Sequence, residues 1–263
     1  MARQTEVILI DGDMHCGHYT GLTPPDWWWP EKSDIPWRQK IATYQRWAWK
    51  TYCSYLKEMG PFTKHINLGD CIDGKGLKSG GTELLTSDRT EQCDMAGVCI
   101  KKSGVKDIVI TKGTTYHAGA SEDWEEQVAN DCGAKIGCHE YITTNGVTIS
   151  ARHFVGGTQN PKSKATSILG EQVNNDQWAR EYTDHPRANI FLRGHVHRNV
   201  VIDEPKTLSI ICPGLQGWTK FGAKICGLFV HFGIIVIEIT PAGSRSWRRM
   251  TAELGKQVHV TKW

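Results

Sequence analysis

Short apolar runs that break off into Asp, His and Gly restrict the fold of this chain more than any other feature. Val7 to Ile10 ends in Asp11-Gly12-Asp13, and His65 to Leu68 ends in Gly69-Asp70. Asp107 to Thr111 ends in Lys112-Gly113, and Ile190 to Leu192 ends in Arg193-Gly194-His195. Runs this short, closed by turn-forming residues, read as strands. Longer periodic stretches lie between them. Trp37 to Met59 predicts a helix with Ile41, Tyr44, Ala48, Tyr52, Tyr55 and Met59 on one face, stopped by Gly60-Pro61. Asp88 to Lys102 predicts a second helix with Asp88 as its N-cap. Further helices are expected to open at Ser121 and to run from Ser163 to Tyr182. Ile136 to Thr143 and Val147 to His153 predict a hairpin around Asn145-Gly146. Val200 to Asp203, Leu208 to Ile211 and Leu228 to Ile239 read as later strands. Strands alternate with helices early and cluster as hairpins late. That order predicts an α/β fold, a sandwich of two mixed β-sheets flanked by helices, as one domain over residues 1–263.

Composition narrows the function classes. A net charge of +3 gives no global basic field of the kind that marks a sequence-blind nucleic-acid binder. The longest apolar stretch, Gly227 to Ile239, contains His231 and Glu238 and is too short for a bilayer. No charged segment followed by an apolar one opens the chain, so no secretory signal is expected. The nine cysteines form no CxxC pair, which predicts reduced thiols and a cytoplasmic setting.

The chemistry concentrates in the loops that follow strands. These are Asp13-Met14-His15-Cys16-Gly17, Gly69-Asp70-Cys71-Ile72-Asp73, Gly113-Thr114-Thr115-Tyr116-His117, Arg152-His153 and Gly194-His195-Val196-His197. In α/β sheets such loops converge at the carboxyl ends of the strands. Asp and neutral His suit Mn, Fe, Zn, Co or Ni. In D-x-H and H-x-H the period of two lets both side chains face one way. Asp70, with two carboxylate oxygens, is the candidate bridge between two ions. Two metals about 3.5–4 Å apart can clamp a phosphate and lower the pKa of a bridging water. A nearby His can then protonate the leaving oxygen. Cys16 and Cys71 occupy the alternate positions and are expected to point away.

This order of motifs resembles the calcineurin-like metallophosphoesterase superfamily, in the form carried by tailed phages and prophages. D-x-H-x-G, G-D-x-x-D, a third Gly loop, a lone His and G-H-x-H follow one another from Val7 to Ile239. Leu22-Thr23-Pro24-Pro25 and Gly214-Leu215-Gln216-Gly217-Trp218 add to the likeness. The resemblance implies a four-layer αββα arrangement. It implies a first metal held by Asp13, His15, Asp70 and His197, and a second held by Asp70, His153 and His195. Asp73 would orient a ligand by hydrogen bond. The third loop departs from the family's usual Gly-Asn-His. Thr114 stands at the Asn position and His117 comes three residues later. Thr114, a water or His117 would fill the Asn slot, or His117 would serve as the general acid.

The expected function is therefore hydrolysis of a phosphodiester, in nucleic acid or a nucleotide, with two divalent ions, Mn2+ first and Fe, Zn, Ni or Mg as rivals. A phosphomonoester phosphatase is the alternative within the same chemistry. A scaffold that has lost hydrolysis and serves as a binding module is the alternative outside it. No membrane partner is expected, and a phage-borne copy would work in the host cytoplasm. The Pro-rich segment 18–36 with Trp27 to Trp29 reads as a loop packed against the first helix, ahead of a lid or a base-stacking platform. Lys75 and Lys78 read as solvated. Arg245, Trp247, Arg248 and Arg249 read as a solvated edge strand ahead of a nucleic-acid contact.

Overall fold

The computed structural model describes residues 4–119, 122–156, 163–220 and 229–255. Among these residues, eleven strands form two sheets. The six-stranded sheet runs β11 (Arg245–Gly255), β10 (Phe229–Ile239), β1 (Glu6–Asp11), β2 (Lys64–Asn67), β3 (Ile108–Thr111), β4 (Lys135–Gly137). Its β1 to β4 are parallel, and β10 and β11 are antiparallel additions. The five-stranded sheet runs β5 (Glu140–Thr144), β6 (Val147–Arg152), β7 (Ile190–Arg193), β9 (Leu208–Ile211), β8 (Val200–Asp203). There β6, β7 and β9 are parallel while the outer pairs are antiparallel. Both sheets are mixed, as the sequence predicts.

Alternation along the strands sets the layers. Ile8 and Ile10 of β1 and Ile66 of β2 meet Ile149, Ile190, Leu192 and Ile210 of the facing sheet. Leu9 points the other way, into a core with Tyr52, Leu56, Cys99, Ile100 and Val128. Those residues come from α1 (Pro36–Met59), α2 (Arg89–Lys101) and, after the single turn α3 (Thr115–Ala118), α4 (Trp124–Cys132). On the far side, Phe191 and Ile211 pack with Ile168 of α5 (Lys164–Glu181). Helices therefore cover both outer faces of the two sheets.

Asp88 caps α2, accepting from the backbone N–H of Thr90 and Glu91. The buried face of α1 is Ala42, Gln45, Ala48, Trp49, Tyr52, Leu56 and Met59. That stripe is rotated from the expected one because Ile41 and Tyr55 sit at its half-buried margins. The expected strand from Ile136 to Thr143 is two strands. Lys135–Gly137 joins β3 in the first sheet, and only β5 turns through Asn145-Gly146 to pair with β6. Polar residues interrupt the apolar pattern at Cys138-His139, where the chain changes sheets. Ser121, Gly227 and Leu228 lie outside the described residues.

The tryptophan segment is packed, as expected. Trp27 Nε1 donates to Glu91 Oε1 at 3.0 Å, Trp28 Nε1 donates to the Thr23 carbonyl at 2.9 Å, and the Arg46 guanidinium lies 4.8 Å over the Trp28 ring. On β11, Arg245 and Trp247 bond Asp203, Arg249 bonds Asn199 and Arg248 bonds Glu238. These internal partners take up the basic cluster. Lys75 is exposed, and the Lys78 side chain lies outside the described residues. All described cysteines are free. No described helix is long and apolar enough to cross a membrane.

Candidate metal centre

The loops after β1, β2, β6 and β7 close on one another at the carboxyl ends of those strands. Asp13 N donates to the Gly69 carbonyl at 2.8 Å, and His15 N donates to the Asp70 carbonyl at 2.9 Å. Gly194 N donates to the His153 carbonyl at 2.9 Å. The backbone there is unusual. Six described non-glycine residues have positive φ, and five of them are Asp13, His15, Asp70, His195 and His197, between 45° and 71°. The sixth, Asn145, sits in the hairpin turn. A left-handed conformation costs a non-glycine residue roughly 1–3 kcal/mol, so five at one place mark a strained constellation held by its surroundings. Strand alternation alone does not aim these side chains; the left-handed turns do.

The predicted residues are brought together in three overlapping groups. They are Asp13 with His15 and His197, His15 with Asp70 and His117, and Asp70 with His153 and His195, with donor atoms within 4.8 Å in each group. His15 Nε2 stands 3.1 Å from His197 Nε2, and His197 Nε2 stands 3.1 Å from Asp13 Oδ1. His153 Nε2 stands 3.1 Å from Asp70 Oδ2 and 3.3 Å from His195 Nδ1. Asp13, His15, Asp70 and His153 are buried, while His117, His195 and His197 are half-buried. Glycine is required beside this cluster. A Cβ on Gly113 would collide with the Asp70 carboxylate, and one on Gly194 would stand 2.9 Å from Asp13 Oδ2.

Supporting bonds to backbone carbonyls fix two of the rings. His153 Nδ1 donates to the Leu68 carbonyl at 2.6 Å, which aims Nε2 at the centre. His117 Nδ1 donates to the Asp73 carbonyl at 2.9 Å, leaving Nε2 free. The Asp73 carboxylate lies 3.3 Å from His15 Nδ1 and 3.4 Å from His117 Nδ1. His15 Nδ1 itself is buried without a hydrogen bond. Asp13 accepts from the His195 backbone N–H at 2.9 Å. Thr114 donates to Asp70 twice, from its N–H at 2.6 Å and its Oγ at 3.1 Å.

The electrostatics fit a cation. Burial opposes ionisation of Asp13, but the His197 ring overrides it and holds the carboxyl down at about 2. Burial, and then His117 and His197, push His15 well below its ordinary range. Burial disfavours a charged His153, yet the Asp70 carboxylate outweighs it and lifts the ring to about 10. Burial, and then His153, lower His195 to about 4. Convergent imidazole lone pairs and buried carboxylates at hydrogen-bond separation are a donor set for divalent cations, and the residues fit such a group.

Sequence reasoning missed several residues that hold this centre. Glu125 is fully buried on α4 and accepts from Cys71 N at 2.9 Å and Gly113 N at 2.6 Å, tying two site loops together. Burial, then the Asp70 charge, raise it to about 7. Asp11 is also fully buried and accepts from Asn67 at 2.8 Å and Tyr52 at 3.0 Å, with His65 Nε2 at 2.8 Å. His18 is buried next to the centre, its Nδ1 accepting from Thr20 N at 3.1 Å, and burial lowers it to about 4. Cys16 and Cys71 point away into the helical core, as expected.

No family model matches the chain, and no curated protein matches its sequence. Solved structures with a similar course of chain do exist. An archaeal phosphodiesterase is 13% identical with a TM-score of 0.44, covering 94% of this chain and 99% of that one. Vps29 of Chaetomium thermophilum is 12% identical with a TM-score of 0.44, covering 96% and 100%. Zn2+-complexed Vps29 of Entamoeba histolytica is 12% identical with a TM-score of 0.43, covering 93% and 98%. Likeness at that level leaves the functional reading to the residues themselves.

Proposed function

We propose that this chain is a two-metal phosphoesterase that hydrolyses a phosphodiester, in nucleic acid or a nucleotide. The observation that carries this reading is the position of Asp70, whose carboxylate belongs both to the group with His15 and to the group with His153 and His195. Asp13, His15, Asp70 and His197 would hold one ion, and Asp70, His153 and His195 the other. Mn2+ is the proposed working metal, with Fe, Zn, Ni and Mg accommodated by the same oxygen and imidazole donors. When bound, such a pair polarises the phosphate and lowers the pKa of a bridging water.

The chain's own residues supply the rest. Asp73 holds His117 through its carbonyl, so the free Nε2 can carry a proton to the leaving oxygen. Thr114, standing at the family's Asn position, serves Asp70 as a two-bond donor. That arrangement keeps the carboxylate oriented. Among the alternatives for the third loop, we therefore assign the acid to His117 and orientation to Thr114. The free cysteines suit a reducing, cytoplasmic setting.

Hydrolysis of a bis-aryl phosphodiester against the matching monoester tests the reading, with metal-stripped protein resupplied with Mn2+. Faster diester cleavage is expected. A monoester preference makes the chain a phosphatase instead. The second reading, a binding module without turnover, draws on the same Thr114, because its hydroxyl, at the position where the resembling family has Asn, is engaged with Asp70. Two bound ions with no hydrolysis of either ester would favour it.

A further inference from the structure

The residues immediately before the two proposed second-metal loops are both arginines. Arg152 ends β6 and precedes His153, and Arg193 ends β7 and precedes Gly194-His195. They are register partners across the parallel β6–β7 pair. Two like charges side by side repel, and one of them is taken out of water, since Arg193 is only 2% exposed. Both resolve on one carboxylate, Glu171 of α5. Its Oε2 accepts from Arg193 Nε at 2.7 Å and pairs with Arg193 Nη2 at 2.7 Å. Its Oε1 accepts from Arg152 Nη2 at 3.0 Å and from the backbone N–H of Gly156 at 3.1 Å. Arg193 spends its remaining donors on the carbonyls of Ser150 and Leu192, at 2.8 and 2.7 Å, and on Ser150 Oγ, at 3.1 Å. The planar guanidinium fork is thereby locked in one orientation.

We propose that Glu171 is a positioning residue for the second metal subsite. It pins the ends of β6 and β7 and the turn after His153, and so fixes the spacing between His153 and His195. The Arg side chains face α5, while the following His residues turn the other way toward Asp70. The carboxylate therefore acts on the subsite through the backbone and does not touch an ion. Neutralising it leaves two adjacent guanidiniums, one buried, without their shared counter-charge, behind a subsite that must accept a cation. This inference rests on the reading of Asp70, His153 and His195 as a metal site.

The test is titration of the metal-stripped full chain with Mn2+, by calorimetry and by the manganese spin-resonance signal, in wild type and in Glu171→Gln. Wild type is expected to take up two ions. The variant is expected to keep the first at wild-type affinity and to bind the second about 10- to 100-fold more weakly, the range typical of residues that orient ligands. A purely structural role would lower the melting temperature and weaken both sites alike or neither, and either pattern in folded protein overturns the proposal. Should Glu171→Gln fail to fold, Arg152→Gln decides. That arm is partly exposed, its loss should be tolerated, and a selective weakening of the second ion supports the proposal, whereas an unchanged second ion overturns it. Failure of wild type to take up a second ion would instead sink the metal-centre reading itself, and this inference with it.

Discussion

In the group of Asp13, His15 and His197, His15 is held well below its ordinary range, first by burial and then by its neighbouring imidazoles. In the group of Asp70, His153 and His195, the Asp70 carboxylate overrides burial and lifts His153 to about 10. In the first group, then, the ring from the D-x-H loop is already neutral. In the second, His153 is an imidazolium paired with Asp70 at 3.1 Å. The supports differ too. His15 Nδ1 has no hydrogen bond, whereas His153 Nδ1 donates to Leu68 and its strand is clamped to α5. Both groups are built to stabilise positive charge, but the second carries its own while it waits. If these groups hold metal, loading the second would exchange a proton for an ion, and loading the first would not require one from His15.

The largest effect should come from the residue the two groups share. Asp70→Ala is expected to abolish phosphodiester turnover and cut bound metal below one ion per chain, checked by elemental analysis of refolded, dialysed protein. Retained turnover would erase the distinction between bridge and ligand. Next, His153→Ala should remove the second ion and leave the first, while His15→Ala should do the reverse. Metal stoichiometry in the two variants reads this directly, and identical losses would mean that the groups are one site.

The pH dependence sharpens the same contrast. His153 has a folded pKa of about 10, so it is charged at pH 7 and must lose a proton to bind metal. Second-ion affinity should therefore climb about tenfold per pH unit from 7 toward 10, with about one proton released per ion. Calorimetry in buffers of different ionisation enthalpy counts that proton. The sign for stability without metal runs with it. A pKa raised above the unfolded value gives stability that is complete below about pH 6.5 and lost as pH rises through about 10. The depressed Asp13 contributes above its ordinary value of 3.8, and that contribution is lost as pH falls through about 2. Melting temperatures of stripped protein should fall between pH 8 and pH 10.5, and a flat profile there would remove the His153–Asp70 ion pair from the account. The smallest expected effect is Thr114→Val. It deletes the hydroxyl bond to Asp70 but spares the backbone one, and about 1.5 kcal/mol, roughly a tenfold loss in kcat, is the scale of a hydrogen bond to a charged acceptor. A loss matching Asp70→Ala would make Thr114 a ligand.

Three of the loops that meet at the candidate centre, at Gly12-Asp13, Gly69-Asp70 and Gly194-His195, could be read from the sequence because each couples an apolar strand to a Gly beside Asp or His, and that local signature survives without knowing the fold. The supports could not. Glu125 and Glu171 sit on helices, where an acidic residue reads as a solvated face until the partner loops are in place. Asp11 and His65 sit in β1 and β2 and meet only through strand pairing. One signal was present: Arg152 and Arg193 each end a strand just before a site histidine, which hints at a shared acidic partner. The three-residue spacing from Thr114 to His117 became interpretable only through the short helical turn Thr115–Ala118, which carries His117 back onto Asp73.

The most direct test of the central claim is the anomalous scattering of manganese in crystals of the metal-stripped chain soaked with Mn2+. The account predicts two peaks about 3.5–4 Å apart astride the Asp70 carboxylate, one against Asp13, His15 and His197 and one against His153 and His195. One peak, or two that do not share Asp70, would contradict it.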